Sequence, residues 1–333
     1  MDAFSIPMEH DMPEGNRIIS YKTAIQEATD QAMMHDSRVF VIGLDADDPS
    51  GMFGSLKNLS CQERVIGTPI SENAVCGIAM GAALAGQRPI CIHLRVDFLM
   101  SAMDIIVNYI AKWRYMFGGR VHVPLVIRAV IGRGWGCAAQ HAQALHGLFA
   151  HIPGLQVVMP AFPYAAKGLL LSAIQDDNPV IIIEHRRLYD QKGHVPSEMF
   201  GLPLGKGYLM RKGRSLSIVA ASLAVIDTLS AVDSNDIDAD VIDLRSIAPL
   251  DMEIIRSSVK KTGKLLVVDY AYPFCGIASE ICARVAETSF SDLRQPLARI
   301  TFPNCSVPAS GILEKAYYPS AKTIAKKALE MIK

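Results

Sequence analysis

Between Ile66 and Gly86 the chain reads IGTPISENAVCGIAMGAALAG, and this stretch limits the possible folds more than any other. Proline disfavours helix at the residue before it, so Gly67, Thr68 and Pro69 are expected to form a turn. Glu72 then opens a run of small and apolar residues. Gly77 and Gly81 stand four apart in it, among Ala74, Ala79, Ala82, Ala83 and Ala85. A helix this bare lets a second backbone come very close. Its only charge is the carboxylate at its start, a placement that the helix dipole alone would favour.

Strands and helices alternate on both sides of this helix. Apolar strands are predicted at Arg38–Gly43, Pro89–Leu94, Leu125–Ile131, Gln156–Met159 and Val180–Glu184. Helical spacing covers Tyr21–Met34, Met100–Lys112, a segment from Gln143, and Tyr164–Ile174. Strands that are apolar throughout and separated by helices imply a parallel sheet covered on both faces. Residues 186–214 lose the periodicity and collect Gly and Pro, the composition of a linker. Alternation resumes with strands Leu216–Ala221, Asp240–Asp243, Leu265–Asp269 and Leu297–Thr301, and ends with helix Ala321–Ile332. The expected organisation is an N-terminal arm (1–15), an α/β domain with a parallel sheet (16–185), a linker (186–214) and a smaller α/β domain (215–333).

At 333 residues, half of them hydrophobic, the chain can fill two cores. Lys plus Arg and Asp plus Glu each number 33, so there is no basic surface for nucleic acid. No stretch reaches the roughly 18 apolar residues of a membrane span. The acidic start, MDAFSIPMEHDMPEG, lacks the pattern of a signal peptide. The seven cysteines form no CxxC pair, and most read as reduced core thiols, which suggests the cytoplasm or an equivalent reducing compartment. Asp45, Asp47 and Asp48 follow the first strand; with DDPSG after them they read as an acidic surface loop rather than a metal site. The first strand leads into VIGLDAD, with no GxGxxG, which speaks against a dinucleotide site.

TPISE, the Gly/Ala helix and RPI (Arg88–Ile90) together resemble the β subunit of the thiamine-diphosphate-dependent decarboxylase component of 2-oxo acid dehydrogenase complexes, a member of the transketolase superfamily. FLMSAMDIIVNYIAKWRYMFGG, VPLVIR, AAQHAQ, PGLQVVMP, KGLLLSAIQDDNPVIIIE, VIDLRSIAPLD, SVKKTGKLLVVD and LEKAYYPS recur in the order found in that family, over residues 16–330. The resemblance implies a pyrimidine-binding domain followed by a transketolase-type C-terminal domain.

It also assigns roles. Glu72 matches the carboxylate that hydrogen-bonds the cofactor's aminopyrimidine and promotes the tautomer able to deprotonate the thiazolium. Burial would strengthen that bond. Ile70 and Phe98 match residues lining the ring, and Ser101 falls where the family has Gln. Ile92 and His93 replace a Glu-Phe pair, and Arg95, Val96 and Asp97 replace Thr-Phe-Asn, so the pocket is altered. His141 matches the family's active-site histidine, a residue suited to proton transfer near neutral pH; His146 and His151 share its segment. Arg133 and Trp135 stand in a loop where the family has small residues, and a cation there would favour an acidic substrate. Leu125, Ala173, Ile174, Asp176 and Asn178 match positions that hold potassium through backbone carbonyls in some members.

The chain contains no GDG motif, the usual seat of the Mg²⁺ that binds the diphosphate. Diphosphate and Mg²⁺ are therefore expected from an α subunit carrying that motif, in a two-α, two-β heterotetramer. The function implied is decarboxylation of a 2-oxo acid and transfer of the acyl unit to a lipoyl carrier, with docking to a lipoyl acyltransferase core. The divergent pocket leaves open a specialised relative that cleaves acetoin or transfers a two-carbon unit. A non-catalytic scaffold is the third alternative, opposed by the retention of Glu72 and His141.

Overall fold

The computed structural model describes residues 17–132 and 136–333. The chain divides into two units. One runs through Ile131 and resumes over Leu148–Leu204; the other comprises Gly132–Gly147 and Gly205–Lys333.

In the first unit six strands hydrogen-bond in parallel, in the order Gln156–Val158, Val180–His185, Val126–Ile131, Arg88–His93, Val39–Leu44, Val65–Thr68. The middle strands Val126–Ile131 and Val180–His185 are buried at every position. Covered faces require that, and it explains their unbroken apolar runs. Helices Tyr21–His35 and Pro163–Gln175 form where helical spacing predicts them, and Glu72–Leu84 where the Gly/Ala run does. Ser20 starts the first by accepting the Thr23 N–H at 3.2 Å, and Pro163 opens the third, where its missing N–H costs nothing.

Two predicted helices take other forms. Met100–Lys112 becomes a 3₁₀ stretch (Val96–Ala102), a π-helical stretch (Ile105–Ile110) and one α turn (Trp113–Met116). The β-branched run Ile105, Ile106, Val107 is a poor α former, and π turns accommodate an extra residue. The helix expected from Gln143 is only the short piece His146–Ala150; a separate short helix, Ala138–His141, precedes it and ends where Ala142 leaves helical geometry with φ −136°. The Gly/Pro-rich span 186–214 also carries structure. Lys192–His194 pairs antiparallel with Ile18–Ser20, and Tyr208–Arg211 forms an edge strand in the second unit. Edge strands of three or four residues need only backbone pairing, so they leave little sequence pattern.

The second unit has a sheet in the order Ala298–Ile300, Leu265–Val268, Leu216–Ala220, Ala239–Asp243, Tyr208–Arg211, parallel except for that last edge strand. Asp251 caps helix Met252–Thr262 by accepting the Glu253 N–H at 3.2 Å. Ser320 and Thr323 form a capping box at the start of helix Ala321–Ile332. The architecture is thus a parallel-sheet unit followed by a smaller α/β unit, as the alternation predicts.

Asp243 ends the Ala239–Asp243 strand fully buried. Its Oδ1 accepts the Arg245 N–H at 3.0 Å, while Oδ2 has no partner among the described residues. Burial, opposed by the charge of Arg245, pushes this carboxyl up to about 6. Between about pH 4, where an unfolded Asp ionises, and that value, the folded chain holds a proton that the unfolded chain has lost. Stability contributed by this residue therefore falls as pH rises through that window. Asp243→Asn is expected to flatten the fall, as read from urea unfolding midpoints on either side of it. Identical pH slopes in wild type and variant would refute the burial argument.

Candidate active site

Strands Val39–Leu44 and Val65–Thr68 lie on one side of a divide, and the chain then crosses to Arg88–His93 on the other. Loops separate at such a switch point and leave a crevice at the carboxyl ends of the strands. Leu44, Thr68 and His93, the last residues of these three strands, line a small pocket there, with about 10 Å³ of room for a water-sized sphere, together with Glu72, Val75 and Phe98.

Glu72 is the first residue of helix Glu72–Leu84 and is half-buried. Among the described residues it makes no hydrogen bond or ion pair. Thr68 Oγ1 is buried at the same pocket, also without a partner among the described residues. Buried polar groups are nearly always satisfied, so the orphaned Thr68 hydroxyl beside the Glu72 carboxylate marks a place where a ligand can bond. Gly67 and Thr68, expected in a turn with Pro69, instead end the strand Val65–Thr68, in register with Gly43 and Leu44. A Cβ on Gly67 would lie 1.9 Å from Asp47 Oδ1, so the carboxylate packs against bare backbone. Asp45, Asp47 and Asp48 form no metal-type cluster; Asp48 Oδ1 instead accepts the Ser50 N–H at 2.7 Å.

The other positions singled out from sequence are dispersed. Phe98 joins Glu72 in the pocket, whereas Ile70 is 75% exposed and Ser101 is also exposed, neither lining it. His141 ends the short helix Ala138–His141 and is exposed. Ala138 opens that helix with φ +53°, a left-handed conformation costly for alanine and typical of functional segments. His146 is buried, with Nε2 2.9 Å from Asp269 Oδ1, which sets it apart from the exposed His141. Arg133 and Trp135 lie outside the described residues. Of the potassium positions, the Ile174 and Asp176 carbonyls accept from Arg88 at 3.0 and 3.1 Å, and the Leu125 carbonyl accepts the Val180 N–H at 2.9 Å.

A second group adjoins the pocket. Cys91 and His93 alternate on one strand and so point to the same face, and Cys76 reaches them from helix Glu72–Leu84. His93 Nε2 lies 3.3 Å from Cys76 Sγ and 3.4 Å from Cys91 Sγ. The Cys91 thiol, aided by His93, stabilises a thiolate at Cys76 and pulls it down to about 6. The same pairing, with burial, pushes Cys91 well up. The expectation that most of the cysteines are core thiols is corrected: only Cys76 and Cys91 are buried, and Cys275 and Cys305 are exposed. The C-x-H spacing on a buried strand was the signal for this cluster. Cys76, fifteen residues earlier by sequence number, gave none.

Residues 17–192 match the transketolase pyrimidine-binding domain, and residues 205–324 match the transketolase C-terminal domain. A split-gene transketolase, an inactive beta4 tetramer, shares the fold with a TM-score of 0.76 at 20% identity, over 94% of this chain and 98% of that one. The β subunit of acetoin:2,6-dichlorophenolindophenol oxidoreductase from Cupriavidus necator is 42% identical over 95% of this chain and 98% of its own length. Its Bacillus subtilis counterpart is also 42% identical, with the same coverage. The mitochondrial pyruvate dehydrogenase E1 β subunit of Caenorhabditis elegans is 41% identical over 92% of this chain and 91% of its own length. The chain therefore belongs to the β subunits of the thiamine-diphosphate-dependent 2-oxo acid and acetoin dehydrogenases, a class of oxidoreductases whose β chains work with an α partner. Among the described residues, no helix is long and apolar enough to cross a membrane.

Proposed function

We propose that this chain supplies the ring-binding half of a thiamine diphosphate site, in a two-α, two-β complex that decarboxylates a 2-oxo acid and passes the acyl unit to a lipoyl carrier. The observation that carries this is Glu72, a half-buried carboxylate with no partner among the described residues, at the mouth of an apolar pocket. The chemistry of the lining suits the edge of a flat heteroaromatic ring, whose entry requires the small pocket to open. Leu44, Val75 and Phe98 offer apolar contact, and Glu72 and Thr68 offer hydrogen bonds. Thiamine diphosphate, when bound, supplies the carbon nucleophile and the electron sink for loss of CO₂. Glu72 holds the proton shared with a ring nitrogen, and the apolar walls keep competing water away from that bond. His141 serves as the acid/base on the substrate side, and Arg133 and Trp135 set substrate choice. The assay is turnover of a 2-oxo acid by this chain together with an α subunit bearing a GDG motif. No turnover of any 2-oxo acid or of acetoin by such a complex would overturn the reading.

The diphosphate and Mg²⁺ belong to the partner in this reading, since the chain has no GDG motif. Helix Glu72–Leu84 supports a close partner. Ala74, Ile78 and Gly81 are exposed along one face, and nothing lies within 4 Å of a Cβ placed on Gly77 or Gly81. The isolated chain is therefore expected to bind thiamine diphosphate and Mg²⁺ at least tenfold more weakly than the complex, about 1.4 kcal/mol by calorimetry. Micromolar binding by the chain alone would sink this division of labour.

Potassium at the carbonyls of Leu125, Ala173, Ile174, Asp176 and Asn178 belongs to the same proposal. A carbonyl oxygen has two lone pairs, so one hydrogen bond leaves one for an ion. Docking to a lipoyl acyltransferase core is likewise part of it. Seven free thiols support a reducing setting, the cytoplasm. Acetoin cleavage is the second reading, favoured by the two acetoin oxidoreductase β subunits that match at 42% identity over 98% of their length. Comparing acetoin with a panel of 2-oxo acids in the reconstituted complex separates the two.

A further inference from the structure

Cys76, Cys91 and His93 present two sulfurs and an imidazole nitrogen that all lie within 4.8 Å of one another, the only such group of three among the described residues. All three side chains are buried: Cys76 and Cys91 completely, and His93 to 5% exposure. The chain contributes them from two rigid elements, helix Glu72–Leu84 and strand Arg88–His93, so their spacing is fixed by packing rather than by a loop.

That spacing can be compared with the needs of an ion. With Zn–S of about 2.3 Å and Zn–N of about 2.0–2.1 Å at tetrahedral angles, sulfur and nitrogen ligands sit about 3.5 Å apart. The two S···N distances here are 3.3 and 3.4 Å, each within about 0.2 Å of that value. Thiolate and imidazole together select soft or borderline cations over Mg²⁺ or Ca²⁺. Two cysteines and one histidine are also a donor set found at zinc with one coordination position left open. His93 also lines the pocket that holds Glu72, so the group adjoins it.

We propose that Cys76, Cys91 and His93 form a binding site for a zinc-type divalent cation beside the Glu72 pocket. The donor atoms already converge, with both S···N distances near those of a tetrahedral ion, so binding requires loss of the thiol protons and a local adjustment of the two sulfurs. An ion here would tie helix Glu72–Leu84 to strand Arg88–His93 immediately behind the proposed ring-binding residues. The site stands on the side chains themselves and is independent of the reading of Glu72.

The test uses the full-length chain, reduced, stripped of metal and titrated with Co²⁺. One equivalent should bind, giving a thiolate-to-cobalt charge-transfer band and the strong visible bands of a tetrahedral ion, and one equivalent of Zn²⁺ should abolish both. Cys76→Ser and His93→Gln keep side-chain size while removing a soft or a basic ligand. Each should weaken Co²⁺ binding at least a hundredfold and lose the charge-transfer band or the tetrahedral signature, with far-UV circular dichroism unchanged. Cys282→Ser, at a half-buried cysteine elsewhere, should bind as wild type does. A wild-type chain without the charge-transfer band would overturn the proposal. So would unchanged binding in Cys76→Ser, or a Cys76–Cys91 disulfide in the purified chain that excludes cobalt.

Discussion

Glu72→Gln is expected to lower turnover by the assembled complex at least a hundredfold while leaving the fold intact. The amide is nearly isosteric, and Glu72 makes no hydrogen bond or ion pair among the described residues that its loss would strand. What changes is the charge and the proton. A carboxyl can share a proton with a ring nitrogen and stabilise one ring tautomer; a neutral amide donates and accepts but cannot take up that proton. A hundredfold loss corresponds to about 2.7 kcal/mol of transition-state stabilisation, within the range of one well-placed electrostatic contact in a site shielded from water. The measurement is the rate at saturating thiamine diphosphate, with calorimetry showing that the cofactor still binds and circular dichroism that the chain still folds. A variant retaining more than a tenth of the wild-type rate would remove Glu72 from the chemistry. A variant whose rate recovers fully at high cofactor concentration would make it a binding residue only.

Why this carboxylate was legible in the sequence, and its neighbours less so, follows from how each is specified. Glu72 stands out through the resemblance of its TPISE motif, since the helix dipole alone would favour a carboxylate there, whereas the apolar runs at Val126–Ile131 and Val180–His185 announce fully covered strands. Parallel sheets need such strands, so the layers could be read directly. The pocket itself is made by tertiary convergence. Leu44, Thr68 and His93 are separated by up to 49 positions in number, and only the strand order brings their ends together. The sequence marks Thr68 only as a neighbour of Pro69, because an orphaned hydroxyl is visible only once its surroundings are known. Ile70 was expected beside the ring from the motif, yet within this chain it faces outward. The π-helical stretch Ile105–Ile110 escaped for a related reason: its apolar spacing is close enough to α that local pattern cannot separate the two.

The second large effect concerns a charge that periodicity hid inside a strand. Arg128 lies in the middle strand Val126–Ile131 with no solvent exposure, its Nε donating to Glu184 Oε1 at 2.6 Å. Its Nη2 donates to Glu184 Oε2 at 3.0 Å and to Ser55 Oγ at 2.9 Å. Tyr189 adds a hydroxyl bond to Glu184 Oε2 at 2.6 Å, and burial pushes its own phenol well up, so it stays a donor. Taking these charges out of water is costly, and the pair offsets that cost only while both members are present. Glu184→Ala leaves a guanidinium buried with Ser55 and no counter-charge. It is expected to destabilise this unit by about 3–5 kcal/mol. Glu184→Gln should fall in between, since it keeps one acceptor and loses the charge. Arg128→Met with Glu184→Leu should be milder than Glu184→Ala alone, because the double change strands no charge. Urea unfolding followed by Trp113 fluorescence in a Trp135→Phe background reads this unit, where Trp113 lies. A double variant less stable than Glu184→Ala, or a single variant within about 1 kcal/mol of wild type, would show that packing around Tyr189 and Tyr21, whose rings stack at 6.0 Å, outweighs the buried pair.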